Sequence, residues 1–432
     1  MKRAVGILIL FLLSVGAAGS GGASAQQAIE PTKNPAEWQA DLTYLATELP
    51  RLHLNAFHTI SAQTWADEVA SIDAAIPGLA DHEIQVRLMR LLAMVGDAHT
   101  SLYWVSARYP SHAFPIALSN RPDGLFVTAV TAEAFATPRG PGEYSRAIGA
   151  RLISIGGVEI DEVRRRVLPL IPTENAFWAE YSLASYLVIA EVLHALRIIP
   201  SLTEARYVVE DGQGNRLALD LRIAPGGWPS FGFPGVRRWQ APLPLTQPSS
   251  VNYWYRYLPE ERALYFRYRR CAEQAGLPSS TFLQEWIAAL ETQPVDRLII
   301  DLRDNTGGDS RIFEPFVAAI RARPWINQPG KLFVLINQGT FSSGVFAANS
   351  LQLQTNATLL GEPTGGKPNS YGEVRGFLLP NSGMGVSYST KLFRLRTADD
   401  PPGVMPNRRI PYPWSALDAG RDPVLEAALE RN

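Results

Sequence analysis

The C-terminal half constrains the fold most, because short apolar runs alternate there with helix-length segments. Residues 263–268, 297–302, 332–336 and 357–360 read as strands. Between them, residues 281–290, 312–322 and 345–353 carry helical periodicity. Strands separated by helices of that length pair in parallel through crossovers, giving an α/β sheet. Chemistry in such sheets collects where strands end and helices begin. Two further strands, 376–379 and 385–388, flank the turn Asn381-Ser382-Gly383.

The N-terminal part has another texture. Lys2 and Arg3 precede an apolar run to Val15 and the small-residue site Ala23-Ser24-Ala25, the pattern of a secretory signal peptide. Cleavage after Ala25 and export, periplasmic or secreted, are expected, with no integral membrane segment afterwards. Trp38, Leu42, Leu45 and Leu49 follow Asn34-Pro35 at helical spacing. Ile84, Leu88, Leu91, Leu92 and Val95 form a second stripe that Gly96 is placed to end. His99 then lies on a loop before the strand-like Leu102-Tyr103-Trp104. Residues 124–130 and 150–155 read as strands, 177–196 as a helical insertion and 217–223 as a closing strand, with a linker rich in Pro and Gly near 225–235. The expected division is 1–25 signal peptide, 26–108 helical domain, 109–226 β domain with helical insertion, 227–250 linker and 251–432 α/β core.

A chain of 432 residues with formal charge −1 is too long for one ordinary core and too nearly neutral for nucleic acid to be its main partner. The one cysteine, Cys271, cannot form an internal disulfide, and in RYRRCAEQ it reads as structural. His53, His58, His82, His112 and His194 show no metal-ligand spacing, and no P-loop or dinucleotide fingerprint is present, so no metal or cofactor is expected.

The segment at residues 332–367 carries the chemistry. An apolar strand meets the turn Asn337-Gln338-Gly339-Thr340, then Ser342 and Ser343, then a helix. A hydroxyl there sits among unpaired N–H groups at the positive end of the helix dipole, which favours an attacking oxygen and the oxyanion it creates. Taken alone, the segment favours the helix cap over the nucleophile. Gly307 and Gly308 end the preceding strand unit, where backbone N–H groups can approach a ligand, and Asp301 and Arg303 read as structural ion-pair partners.

Together, DLRDNTGG, TFSSGVFAA, LLGEPTGGK and GDAHT resemble the S41 serine peptidases, the tail-specific and tricorn-like proteases. The resemblance implies a crotonase/ClpP-like α/β protease core, and it extends to a degenerate PDZ-like domain in GLFVTAV and ARLISIGG. It places the nucleophile at Ser343, with Ser342 as neighbour, and the oxyanion hole at Gly344 with Gly307 or Gly308. Two bases are implied by two branches: His99 in GDAHT, oriented by Asp400, or Lys367 in GEPTGGK. His99 is preferred, with Glu373 as a substitute for Asp400 and Lys367 lining the site. Ala98 stands where the tricorn branch has a serine. The implied activity is hydrolysis of protein or peptide substrates through an acyl-enzyme, without a cofactor. A peptide-binding protein that kept the fold without the activity is the alternative. The oligomeric state is not readable.

Overall fold

In this computed structural model, the described residues are 34–103, 112–131, 146–223, 236–238, 245 and 251–430. The expected signal peptide and most of the expected linker lie outside them. Among the described residues, no helix is long and apolar enough to cross a membrane.

Helices α1 (Pro35–Leu52), α2 (Ala62–Ala75) and α3 (Asp81–Ala93) open the chain. Asn34 caps α1 by accepting the Glu37 N–H at 3.0 Å, and Trp38, Leu42, Leu45 and Leu49 are buried on one stripe. The α3 stripe buries Ile84, Leu88, Leu91 and Leu92, and Gly96 (φ +75°) turns the chain out of the helix. The Asp97–Thr100 loop follows, then the short strand β1 (Leu102–Tyr103).

The middle unit is built on β2 (Ile116–Arg121), β3 (Gly124–Thr131), β4 (Arg151–Ile155), β5 (Val158–Glu159), β6 (Glu204–Glu210), β7 (Arg216–Arg222) and β8 (Val236–Arg238). Its strands run in the order β2-β3-β4-β6-β7, with β5 on β4 and β8 on β3. Residues 236–238, expected within a linker, therefore belong to this sheet: Ala129, Val130 and Thr131 pair with Arg238, Arg237 and Val236. The helical insertion consists of α4 (Ile160–Val167), α5 (Ala176–Tyr186) and α6 (Ala190–Ala195), starting earlier than the periodicity suggested.

The α/β core contains β9 (Tyr253–Leu258), β10 (Ala263–Tyr268), α7 (Ser279–Thr292), β11 (Arg297–Asp301), α8 (Glu314–Arg321), β12 (Leu332–Ile336), α9 (Ser343–Gln354), β13 (Thr358–Gly361), β14 (Asn369–Leu378), β15 (Gly385–Arg394), β16 (Arg408–Arg409), α10 (Trp414–Asp418) and α11 (Pro423–Leu429). Its sheet order is β16-β13-β12-β11-β10-β9, parallel except for β9. Alternate residues point to opposite faces, and both faces are covered. Leu264, Phe266, Leu298, Ile300, Leu332 and Val334 pack under Trp286, Phe316 and Leu351 of the crossover helices. Tyr265, Ile299, Leu335 and Leu360 pack against Val424, Leu425 and Ala428 of α11.

Strands β14 and β15 are longer than the apolar pattern indicated. They leave the core as a hairpin and join β1 in a separate sheet, order β1-β15-β14. Leu102 pairs with Val386, so this hairpin ties the helical region and its histidine loop to the core.

Candidate active site

The loops after β11 and β12 meet at the carboxyl end of the parallel strands. Beneath them lies a buried ion cluster. Arg303 reaches Asp301 at 2.6 Å and Asp422 at 2.8 Å, Arg267 reaches Asp301 at 2.6 Å, and the Tyr265 hydroxyl donates to Asp301. Burial alone would raise the Asp301 pKa, but the two guanidinium groups hold it well below the usual carboxylate range. The loops are stitched further by Asp304 and Asn337, by Phe341 N–H on the Asn305 carbonyl, and by Thr340 on the Leu302 carbonyl.

Ser342 sits on this platform at φ +51°, ψ −128°, a conformation that residues with a Cβ rarely adopt. Its side chain makes no capping hydrogen bond to α9. Instead its Oγ lies 3.2 Å from His99 Nε2. The hydroxyl that meets the histidine is thus that of Ser342, one residue before the expected Ser343. Ser343, on the first turn of α9, turns inward and donates to the Gly308 carbonyl at 2.7 Å. The Gly344 N–H, expected in the oxyanion hole, is taken up by the Phe341 carbonyl at 2.9 Å.

Gly307 (φ +96°) faces the serine at close quarters. A Cβ there would lie 2.7 Å from Ser342 Cβ, 2.8 Å from the Ser343 nitrogen and 3.0 Å from Ser342 Oγ. Only glycine leaves that space open beside the hydroxyl and the Ser343 N–H. Gly308 is held by Cys271 through flanking bonds, Cys271 N–H to the Gly307 carbonyl and Asp309 N–H to the Cys271 carbonyl. Burial pushes the Cys271 thiol up to about 12, so it stays a neutral, structural group.

His99 is braced from three directions. Its ring stacks on Phe341 with centroids 4.8 Å apart, and Phe341 stacks on Trp178 of α5 at 3.9 Å. Its backbone N–H donates to Asp97 Oδ1 at 2.9 Å. Its carbonyl accepts from the Ser387 hydroxyl of β15 at 2.8 Å. The second ring nitrogen, Nδ1, faces two carboxylates, Asp97 Oδ1 at 3.6 Å and Glu174 Oε1 at 4.0 Å. Burial depresses the His99 pKa, yet the adjacent Asp97 carboxylate, with the charge of Glu174, more than offsets this and raises it above the ordinary 6.5.

Asp97 is enclosed and accepts from His53 Nε2 at 3.1 Å and from Thr100 Oγ1 at 2.6 Å. Because the Asn55 N–H donates to His53 Nδ1, the proton of a neutral His53 lies on Nε2 and points at Asp97. Burial works to raise the Asp97 pKa, but bonds from His53 and His99 hold it well below the carboxylate range. Glu174 behaves oppositely: burial pushes it up to about 7, against the pull of His99. Its Oε2 accepts the Lys367 N–H at 3.2 Å.

The remaining expected site residues lie elsewhere. Lys367 Nζ and Asp400 Oδ2 pair with each other at 2.7 Å, and the exposed Asp400 makes its ion pair with Lys367 rather than His99. Glu373 is an exposed residue at φ +57° in β14 whose carbonyl accepts from Thr390. The carboxylates that face His99 are Asp97 and Glu174, which sequence reasoning missed, as it missed His53. Asp97 was visible inside GDAHT, two residues from the histidine. Glu174 is one of 41 acidic residues and stands in no motif.

A profile of peptidase family S41 matches residues 317–408, the stretch that holds Ser342 and Lys367. Over that stretch the chain is similar to peptidase family S41. It is 27% identical over 168 residues to the carboxyl-terminal-processing protease of Synechocystis sp., an alignment covering 33% of this chain and 38% of that relative. The crystal structure of mature CPAF superposes with a TM-score of 0.60 at 13% identity, covering 91% of this chain and 96% of that one. The lactacystin complex of mature CPAF gives 0.62 with 91% and 97% covered, again at 13% identity. These likenesses show the fold alone, an α/β core combined with helical and β units.

Proposed function

We propose that this chain is an exported serine peptidase acting on protein or peptide substrates, with Ser342 as nucleophile and His99 as general base. The contact of 3.2 Å between Ser342 Oγ and His99 Nε2, made by a serine in a strained conformation, carries the reading. His99 Nε2 takes the serine proton as Oγ attacks the peptide carbonyl. The oxyanion is held by the Ser343 N–H and the Gly308 N–H, beside the space that the absent Cβ of Gly307 leaves open; the Gly307 N–H itself is taken by Asn305 Oδ1 at 2.9 Å. His99 then returns the proton to the leaving amine, and water repeats the sequence on the acyl-enzyme. Asp97, and Glu174 when ionised, orient Nδ1 and balance the imidazolium charge. Lys367 supports the wall of the site through Asp400 and Glu174 instead of serving as base. Strand β14 lies at the edge of its sheet, where an extended substrate can pair with it.

A fluorophosphonate probe with peptide mapping tests the assignment. Label on Ser342, lost in Ser342→Ala and kept in Ser343→Ala, is expected. Label that instead follows Ser343 overturns the assignment, and unlabelled folded protein favours a peptide-binding role.

A further inference from the structure

The face of His99 turned away from the serine is incompletely satisfied. His99 Nδ1 and Glu174 Oε1 are both enclosed, and neither has a hydrogen-bond partner among the described residues. They lie 4.0 Å apart, and Asp97 Oδ1 lies 3.6 Å from the same nitrogen. One donor atom from each of the three residues falls within 4.8 Å of the others. These separations exceed a hydrogen bond, which spans roughly 2.7–3.2 Å. The separations of 3.6 and 4.0 Å from Nδ1 lie near the roughly 3.4 Å between two ligands of a tetrahedral ion with bonds near 2.1 Å.

We propose that His99 Nδ1, Asp97 Oδ1 and Glu174 Oε1 form a binding site for Zn²⁺, and that the bound ion switches the peptidase off. Imidazole with two carboxylates is a zinc donor set. Calcium needs six or more oxygens and magnesium a nearly ideal octahedron, neither of which these three groups supply. The Glu174 side chain is only 5% exposed and its free oxygen points at the histidine, so the site is built into the interior rather than being a surface cluster of acids.

The inhibitory half follows from imidazole chemistry and rests on His99 being the base. A neutral imidazole has one ring nitrogen with a lone pair and one with a proton. An ion on Nδ1 takes the lone pair there, so the proton moves from Nδ1 to Nε2. Nε2 then presents N–H to Ser342 Oγ and can no longer accept its proton. No covalent bond to substrate is altered. The ion also neutralises the two carboxylate charges that would otherwise stabilise the imidazolium.

Isothermal titration of Zn²⁺ into the full chain carrying Ser342→Ala reads binding without any activity. One ion per chain is expected, with affinity at least about ten-fold weaker when Glu174→Gln is added. Absence of binding, or equal affinity with Glu174→Gln in a chain whose circular dichroism is unchanged, overturns the proposal. Should Glu174→Gln not fold, zinc-edge X-ray absorption on the Ser342→Ala chain replaces it. One imidazole with oxygen ligands supports the site; two imidazoles, as from the His82–His194 pair, or a sulfur ligand overturns it. In the unsubstituted chain, Zn²⁺ should suppress turnover and a chelator restore it. Binding at the three residues without inhibition would retain the site and reject His99 as base. Fluorophosphonate labelling of metal-free Ser342 with no zinc binding would reject the site alone.

Discussion

Replacing Glu174 by Gln changes one atom type in a buried group, and the structure sets the size of the effect. Burial raises the Glu174 carboxyl from an ordinary 4.5 to about 7. The folded chain therefore favours its protonated form. The associated stability is fully present below pH 4.5 and is lost as pH rises through about 7. The difference, 7 − 4.5, at 1.36 kcal/mol per pH unit amounts to about 3 kcal/mol. Gln resembles the protonated acid in shape and cannot ionise, so Glu174→Gln escapes this loss. The two proteins should be nearly equal in stability at pH 4, and the variant should lead by up to about 3 kcal/mol at pH 8. Urea denaturation of metal-free protein at pH 4, 6 and 8 measures this as a midpoint difference that opens with pH. A constant difference across the range, or an unsubstituted chain that is the more stable at pH 8, would refute the assignment of Glu174 as a buried acid strained by ionisation.

Other expectations concern the reaction. Ser342→Ala should lower kcat by at least about 10³-fold, whereas Ser343→Ala, which loses only a bond to the Gly308 carbonyl, should stay within about ten-fold of the parent. Since the base must be unprotonated, kcat/KM should fall as pH drops through the raised His99 pKa, with the limb above 6.5. Removing the carboxylate charge in Asp97→Asn leaves burial to dominate, so that limb should move to lower pH; movement upward contradicts the electrostatic role assigned to Asp97. Gly307→Ala should lose most of its turnover while remaining folded by circular dichroism, because the new Cβ would press on Ser342 and the Ser343 N–H. Retained turnover would show that the space beside Gly307 is not where the reacting carbonyl sits.

Much of the core could be read from residue patterns because its determinants are local. The strand–helix alternation at 263–360 and the apolar stripes around Trp38 and Ile84 each repeat within one element. Cap residues such as Asn34 sit within one turn of what they cap. His99 was legible for a similar reason, since a loop between a helix stop and a strand presents its side chain. The offset of the serine by one residue was not. It depends on the backbone at Ser342 taking φ +51°, which turns Ser343 inward, and composition does not report that choice. Asp400 was expected near His99 from its place in the chain, yet Lys367 Nζ lies 2.7 Å from it. Glu174 and His53 are brought in by tertiary packing of separate units, and no spacing along the chain encodes their approach. The length of the β14–β15 hairpin was underestimated because its outer half, around Asn369–Gly372 and Lys391–Arg394, is only partly buried and lacks a continuous apolar signature.

That hairpin has a consequence for how the protein comes into being. The serine and histidine that meet are 243 residues apart in the chain, and the loop carrying His99 is fastened by Ser387, which is made later than both. A ribosome-bound or truncated chain ending before β15 has both reacting side chains but lacks the strand that clamps one to the other. The serine–histidine contact is therefore clamped from the C-terminal side of both partners, and a chain cut short before β15 would lose the clamp while keeping both side chains.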